Sequence, residues 1–235
     1  MMLKLSAPTR AADRLPVGGF EPFSVVDWPG EICAVVFTQG CGWRCPYCHN
    51  PDLIPFRTEA PIRWSKVRDF LRRRQGLLDG VVFSGGEPTL HAALPQAMAE
   101  AAELGFRVGL HTGGPRPEAL ESLLPLLDWV GFDVKAPFDD YGKIVGRDQG
   151  GEALRSLRRL LEYGVPLEVR TTWHPALLSE SDLRRMAATL ASLGVEEWMI
   201  QPFRSQGCAD RRLASQSVGD PPLERLAGIV VRVRR

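Results

Sequence analysis

Cys41, Cys45 and Cys48 are spaced CxxxCxxC within the stretch Gln39-Gly40-Cys41-Gly42-Trp43-Arg44-Cys45-Pro46-Tyr47-Cys48-His49-Asn50. Three thiolates on one short loop are able to converge on a single cluster of soft metal ions. The count of three is informative. A closed structural zinc site or an electron-transfer iron–sulfur cluster takes four protein ligands, so three leave one metal with a coordination position free for a small molecule. The competing reading is a zinc site completed by His49 or by a distant residue.

The chain that carries this loop has 235 residues, 44% hydrophobic and 24% charged, with net charge +1. That length suits one globular domain with a sizeable core. The charge balance argues against a general nucleic-acid or anionic-membrane binder, which carries a basic excess. No apolar run reaches the length of a membrane span, and residues 1–20 lack the apolar centre of a signal peptide, so a cytoplasmic protein is expected. Five cysteines, three of them in one loop, point to metal ligation in a reducing compartment and not to a disulfide framework.

The elements that must hold the loop follow from periodicity. Residues 1–19, rich in Pro, Arg, Ala and Gly, are expected to form a flexible or loosely docked arm. Ile32 to Phe37 is a continuous apolar run that predicts a buried strand, with the cysteine loop at its C-terminal end. Further strands are predicted at Val81–Phe83, Phe106–His111, Trp129–Val134, Leu167–Thr172 and Trp198–Pro202. Helical stripes alternate with them: Trp64, Val67, Phe70 and Leu71; Leu94, Ala97, Met98 and Ala101; Leu120, Leu123, Leu124 and Leu127; Leu154, Leu157 and Leu161; Leu183, Met186, Ala187 and Leu190. Gly105, Gly164 and Gly194 stand where left-handed helix caps are required. Six βα units imply a parallel sheet with right-handed crossovers, and six are too few to close an eight-unit barrel. An open partial barrel over 20–206 is therefore expected, with a flat doubly wound sheet as the competitor. Residues 207–235 form a tail or a barrel-closing extension, its apolar run being Ile229-Val230-Val231.

In such a fold the site lies at the carboxyl ends of the strands. Six strand ends bring the cysteine loop, Gly85-Gly86-Glu87, His111-Thr112, Asp133 and Lys135, Arg170 to His174, and Arg204 to one rim. Asp133 and Lys135 alternate with Val134 and so share a face; a structural ion pair and a ligand role are both open for them. Gly85-Gly86-Glu87-Pro88 also reads as an ordinary helix-initiating turn. His111, His174 and Arg204 read as structural residues first, Cys33 as a small buried hydrophobe, and Cys208 as an isolated thiol.

The cysteine spacing with Tyr47 before the last thiol, followed by Gly85-Gly86-Glu87-Pro88, resembles the radical S-adenosylmethionine (SAM) superfamily. Within it, Asp27-Trp28-Pro29-Gly30, Gln39-Gly40-Cys41, Tyr47-Cys48-His49-Asn50, Asp133-Val134-Lys135 and Val169-Arg170 are similar to the activating enzymes of glycyl-radical enzymes, nearest the longer type of anaerobic ribonucleotide reductase activating protein. The resemblance covers residues 20–204. It implies a 4Fe-4S cluster on Cys41, Cys45 and Cys48 whose fourth iron takes SAM, with reductive cleavage to methionine and a 5′-deoxyadenosyl radical. It also implies SAM contacts from Tyr47, Gly85, Gly86, Glu87, Thr112, Asp133, Lys135 and Arg170, with no general base.

The resemblance implies two partners: a glycyl-radical enzyme, foremost anaerobic ribonucleotide reductase, and a flavodoxin- or ferredoxin-like electron donor. Charge balance and hydropathy add the expectation of no nucleic acid and no membrane. A small-molecule substrate, as in the 7-carboxy-7-deazaguanine synthase type, is the alternative within the same chemistry; a non-catalytic zinc- or cluster-binding module is the alternative outside it. Departures are also visible. His111-Thr112-Gly113-Gly114 replaces the Asp-Thr-Asn-Gly pattern of many activases, which counts against a monovalent cation site there. Pro202-Phe203-Arg204 lacks the histidine that some members carry at the last position.

Overall fold

A strand covered on both faces must be apolar at consecutive positions, the condition of a parallel sheet wrapped by helices. The computed structural model, which describes residues 11–57, 62–221, 225–226 and 228–234, contains such a sheet. It begins with an antiparallel edge strand, β1 (Val17–Ser24). Six parallel strands follow in sequential order: β2 (Cys33–Thr38), β3 (Gly80–Gly85), β4 (Arg107–Thr112), β5 (Trp129–Asp133), β6 (Leu167–Trp173) and β7 (Glu197–Pro202). Helices α1 (Trp64–Arg72), α2 (Leu94–Glu103), α3 (Pro117–Leu123), the short α4 (Gly142–Val145), α5 (Gly150–Tyr163) and α6 (Glu180–Ser192) fill the crossovers. After a further turn, α7 (Arg211–Ala214), the chain ends in a hairpin of β8 (Arg225–Leu226) and β9 (Ile229–Val233), with β9 parallel to β7. The outer strands β1 and β8 do not meet, so this is an open partial (β/α)6 barrel with added edges.

The alternation of side chains divides the core in two. Ala34, Val36, Val81 and Phe83 face the helices in the larger apolar cluster. Cys33, Val35, Val82 and Trp129 face inward with Trp28. Trp28 plugs the barrel: its ring stacks on Trp129 at 5.5 Å, and a Cβ added at Gly80 or Gly109 would come within 2.9 Å of it. Small residues on the inner wall are therefore the space the indole occupies. Burying a side chain of that size contributes roughly 2–3 kcal/mol, enough to fix the Asp27-Trp28-Pro29 segment beneath the site.

Helix ends follow the anticipated chemistry. Gly164 caps α5 at φ 77°, and Gly105 and Gly194 take the same left-handed conformation after α2 and α6. Ser179 and Asp182 form a reciprocal capping box on α6.

One expectation needs correction, and two segments left open by the sequence are placed. The stripe through Leu127 is not one helix: α3 stops at Leu123, and a 3-10 turn takes over because Pro125 has no amide hydrogen to extend the ladder. The described part of the N-terminal arm is docked, with Ala12, Leu15 and Val17 buried and Ile62 N–H donating to Val17 O at 2.9 Å; residues 1–10 lie outside the described residues. The tail's apolar run is a strand, held by Arg232 to Glu197 and by Arg234 to Glu168. Among the described residues no helix is long and apolar enough to cross a membrane.

Candidate active site

The cysteine loop leaves the end of β2 and is tied at its base on three sides. Gln39, buried, donates its amide to Asp52 O at 2.8 Å and Pro55 O at 2.7 Å, so the loop's two ends are sewn together. Gly40 N–H and Cys41 N–H continue this to Leu53 O and Ile54 O. On the other flank Gly86 N–H donates to Thr38 O and Glu87 N–H to Gly40 O. The two glycines serve this contact: a Cβ on Gly86 would lie 2.2 Å from Gly40 O, and one on Gly85, at φ 111°, would lie 2.4 Å from Thr38 N. Their missing side chains thus let the β3 turn dock on the loop, whereas the resemblance offered them to SAM.

Cys41, Cys45 and Cys48 are free thiols, each half-buried. Burial pushes all three up, Cys45 to about 12, while the Lys135 ammonium pulls the other way. A metal that binds here must displace protons from the thiols, as soft cations do. Among the described residues no three His, Cys, Asp or Glu side chains are set to hold one metal ion. Three soft thiolates on one short loop are a donor set that suits a cluster of soft metal ions.

Behind the loop lies a charged group at the ends of β5 and β6. Asp133 and Arg170 are register partners on adjacent strands. Arg170 Nε donates to Asp133 Oδ1 at 2.6 Å, and Lys135 Nζ to Asp133 Oδ2 at 3.2 Å. Burial favours the neutral acid, but the two cations outweigh it and hold the Asp133 carboxyl below its usual range. Burial likewise opposes charge on Lys135, yet Asp133 keeps the ammonium's pKa above normal. Asp133 already takes two cations, so its geometry has no need of a third. Tyr141, which sequence reasoning did not single out, clamps this turn: its hydroxyl donates to Asp133 O and accepts from Lys135 N–H.

Lys135 Nζ also lies 5.8 Å from the centre of the Tyr47 ring. Tyr47 is buried, and its hydroxyl has no hydrogen-bond partner. A buried orphan hydroxyl beside charged groups suits a polar ligand.

Glu87 and Thr112 are placed with the same group but are committed within the protein. Glu87 Oε1 accepts from Thr89 N–H, Thr89 Oγ1 and Thr112 Oγ1, and Oε2 from Gly113 N–H. Burial raises its pKa despite these donors. The carboxylate therefore staples the β3 turn to the end of β4. His111 lies inside the barrel, with Nε2 2.8 Å from Asp27 O and Nδ1 3.2 Å from Ser84 Oγ. Arg170 Nη1 also lies 3.3 Å from Nε2, but the shorter contact is to a carbonyl, which only accepts; the proton is therefore on Nε2, Nδ1 accepts from Ser84 Oγ, and the guanidinium makes no hydrogen bond to the ring. Burial and the neighbouring Arg170 guanidinium press its pKa down to about 3, so the ring is neutral.

The remaining rim residues divide. His174 is fully buried against Phe203; its Nδ1 accepts from Ala176 N–H and its Nε2 has no partner. Arg204 is exposed, and its carbonyl meets His49 Nε2 at 2.9 Å. Cys208 Sγ points at Pro46 O, 3.4 Å away. These contacts bridge the β7 exit to the cysteine loop over the open side of the barrel. Beside the bridge is a cavity of about 330 Å³ lined by Gly19, Phe37, His49, Asn50, Asp52 and Gly207 among others.

Residues 35–187 match the radical SAM superfamily. A Methanocaldococcus jannaschii protein assigned to the glycyl-radical enzyme activating enzymes is 34% identical over 203 residues, 83% of this chain and 82% of that protein. The pyruvate formate-lyase-activating enzyme of Clostridium pasteurianum is 31% identical over 201 residues, 81% of this chain and 83% of that one. Among solved structures, Streptococcus suis SuiB bound to the precursor peptide SuiA has a TM-score of 0.61 at 11% identity, covering 73% of this chain and 39% of that one. Native anSMEcpe with bound AdoMet has a TM-score of 0.56 at 15% identity, covering 70% and 49%. This chain thus spans half or less of the length of those two structural neighbours, a likeness of fold alone.

Proposed function

This chain belongs to the radical SAM superfamily, and within it to the activating enzymes of glycyl-radical enzymes; from that premise we propose that Cys41, Cys45 and Cys48 hold the family's 4Fe-4S cluster and that the substrate is one glycine of anaerobic ribonucleotide reductase. Held there, such a cluster would supply the single electron for reductive cleavage of SAM, and with it the radical chemistry needed at the glycine Cα. The observation that carries the reading is that three free thiols share one loop and that the Lys135 ammonium, paired with Asp133 beside Arg170, acts on all three of them.

The chain's own residues position and shield. Asp133 and Arg170 present a fixed carboxylate and guanidinium to the ribose and carboxylate side of SAM, and Lys135 lies between them and Tyr47. Tyr47, with its unpartnered hydroxyl, is placed to line the adenine side. Gly85, Gly86, Glu87 and Thr112 hold the turn that fixes the loop; any contact they make to the methionine part is through backbone or the one less-occupied oxygen, Oε2 of Glu87. The unclosed side of the sheet, between its two outer strands, supports a polypeptide loop as substrate over a small molecule. A glycyl radical formed there is stabilised by its flanking amide and carbonyl.

Pyruvate formate-lyase is the second reading, favoured by the names of the similar activating enzymes. The test is anaerobic: the protein is reconstituted with iron and sulfide, reduced with dithionite in the presence of SAM, and mixed with each enzyme in turn. A glycyl-radical doublet on the reductase and not on the lyase supports the proposal. The opposite pattern assigns the lyase. Release of 5′-deoxyadenosine with neither doublet overturns both partners, and loss of the cluster spectrum in each of Cys41→Ala, Cys45→Ala and Cys48→Ala tests the ligands separately.

A further inference from the structure

The chain leaving β7 is strapped across the end of the cysteine loop. His49 Nε2 donates to Arg204 O at 2.9 Å, and the His49 ring stacks on Phe203 at 5.7 Å. Gly207 then runs so close to the loop that a Cβ on it would lie 2.5 Å from His49 O. That oxygen belongs to the backbone, and Gly207 also takes a φ of 81°, so the crossing is built for a residue without a side chain. Immediately after it, the Cys208 thiol points back at Pro46 O, 3.4 Å away.

The strap therefore brings a fourth thiol to the loop. Cys48 lies in the chain between Pro46 and His49, the residues that Cys208 and Gly207 touch, and Cys208 is near enough for its charge to act on the Cys48 thiol. Both cysteines are half-buried and free. The fifth cysteine, Cys33, is sealed inside the sheet with its Sγ 3.6 Å from Ser24 O. Cys41 and Cys45 pack against the main apolar cluster, whereas Cys48 is followed by exposed His49 and Asn50. The cavity of about 330 Å³ is lined by His49 and Gly207, the chain neighbours of Cys48 and Cys208, so a small molecule can approach both from that side.

We propose that Cys48 and Cys208 form a reversible disulfide when the loop carries no metal, and that this bond withholds Cys48 from iron. The oxidant is a low-molecular-weight disulfide of the glutathione type. The Cys208 thiolate attacks one of its sulfurs, the S–S bond breaks, and one glutathione thiolate leaves. Cys48, as thiolate, then attacks the Cys208 sulfur of this mixed disulfide and expels the second glutathione. Two protein thiols lose two electrons and two protons while one disulfide is reduced to two thiols, so the exchange balances, and a dithiol reductant reverses it. The bond itself stands on the strap geometry; its effect on iron rests on the reading that Cys48 is a cluster ligand. A sulfur tied up in a disulfide cannot act as a thiolate ligand, and it is spared the irreversible steps to sulfinic and sulfonic acid.

The test uses the full chain, stripped of metal by anaerobic chelation. It is incubated with glutathione disulfide, its remaining thiols are blocked with N-ethylmaleimide, and it is digested with trypsin without reductant. Mass spectrometry should find residues 45–57 linked to residues 205–211, a pair that dithiothreitol separates. The link should persist in Cys45→Ser and be missing from Cys48→Ser and from Cys208→Ser. Iron bound on reconstitution should fall by more than half in the oxidised wild type, recover with dithiothreitol, and stay at the reduced level in oxidised Cys208→Ser. Oxidation that gives only a Cys45–Cys48 bond or glutathione adducts overturns the pair. A linked pair that leaves iron uptake unchanged overturns the withholding of Cys48. Reduced Cys208→Ser that takes up no iron makes Cys208 a cluster ligand and overturns the proposal as well. Failure of the reduced wild type to take up iron sinks the cluster reading and the effect on iron with it, while the linked peptides still decide the bond.

Discussion

Arg170 Nε stands 2.6 Å from Asp133 Oδ1, and the two residues are register partners on β6 and β5. A pair set by strand register is held by the sheet and not by loop conformation, so it presents fixed charge to whatever binds at the rim. Removing one partner leaves a largely buried charge uncompensated. Arg170→Ala is expected to lower stability by about 2 kcal/mol, less than a fully buried pair because Lys135 remains on Asp133. SAM affinity, measured by equilibrium dialysis, should fall more than tenfold. Arg170→Lys keeps the charge but loses the planar fork, so it should recover stability more than affinity.

The double occupancy of Asp133 carries a second expectation. With a guanidinium and an ammonium on its two oxygens, the carboxylate does not call for a bound monovalent ion. Replacing sodium and potassium by choline at constant ionic strength should change SAM affinity less than twofold. A tenfold drop would show that an ion competes successfully with Lys135.

Gly86 and Gly105 separate close approach from simple backbone freedom. Gly86→Ala places a Cβ 2.2 Å from Gly40 O, a backbone atom that cannot swing aside. The loop must shift, so iron bound per chain should fall by more than half, with a stability loss of about 3 kcal/mol. Gly105→Ala meets nothing within 4 Å and suffers only its positive φ. About 1 kcal/mol is expected there, with iron content unchanged.

What was legible in the sequence, and what was not, follows from the same physics. β2 to β7 were readable because strands covered on both faces are apolar at consecutive positions, as Cys33 to Val36 are. β1 was not, because Gly18, Gly19 and Pro22 interrupt an edge strand that is half exposed and pairs only on one side. The rim was readable because parallel strands deliver their carboxyl ends to one face. The internal commitments of the rim were not. Nothing local in the sequence tells that Glu87 accepts from Thr112 and Gly113, some 25 residues away, or that Trp28 fills the space beside Gly80 and Gly109. Trp43 carried no motif, yet it connects Cys41 to Gln149; a tryptophan between two cysteines of a metal loop is the signal that was available.

Glu87→Gln tests the staple. Either carboxylate oxygen, once replaced by an amide nitrogen, faces a donor: Thr112 and Thr89 on one side, Gly113 N–H on the other. A lost bond and an unsatisfied buried donor together cost about 1–3 kcal/mol. Chemical denaturation should register that loss. Thr112→Val should give a smaller one, because it removes one donor from Glu87 and the acceptor of Gly114 N–H without reversing a polarity.

His111 makes stability depend on pH in a window of its own. In the folded chain its pKa is pressed down to about 3, first by burial and then by Arg170, against an ordinary value near 6.5. Below pH 6.5 the unfolded chain binds a proton that the folded ring refuses, so stability falls as pH falls. The slope is about 1.4 kcal/mol per pH unit, or about 2 kcal/mol by pH 5. Asp133, held low by its cations, begins to contribute only below its unfolded value near 4, and so leaves the window from 6.5 to 5 clear. Glu87, raised by burial, acts with the opposite sign, while His91, lowered by burial, acts with the same sign as His111. The readout is therefore a difference: urea unfolding of the wild type and of His111→Gln at pH 7 and pH 5. Gln still has a donor for Asp27 O but does not titrate, so the wild type should lose about 2 kcal/mol more than the variant between the two pH values. Equal losses would mean that the buried ring already carries its proton at pH 5, and that Arg170 does not hold it neutral.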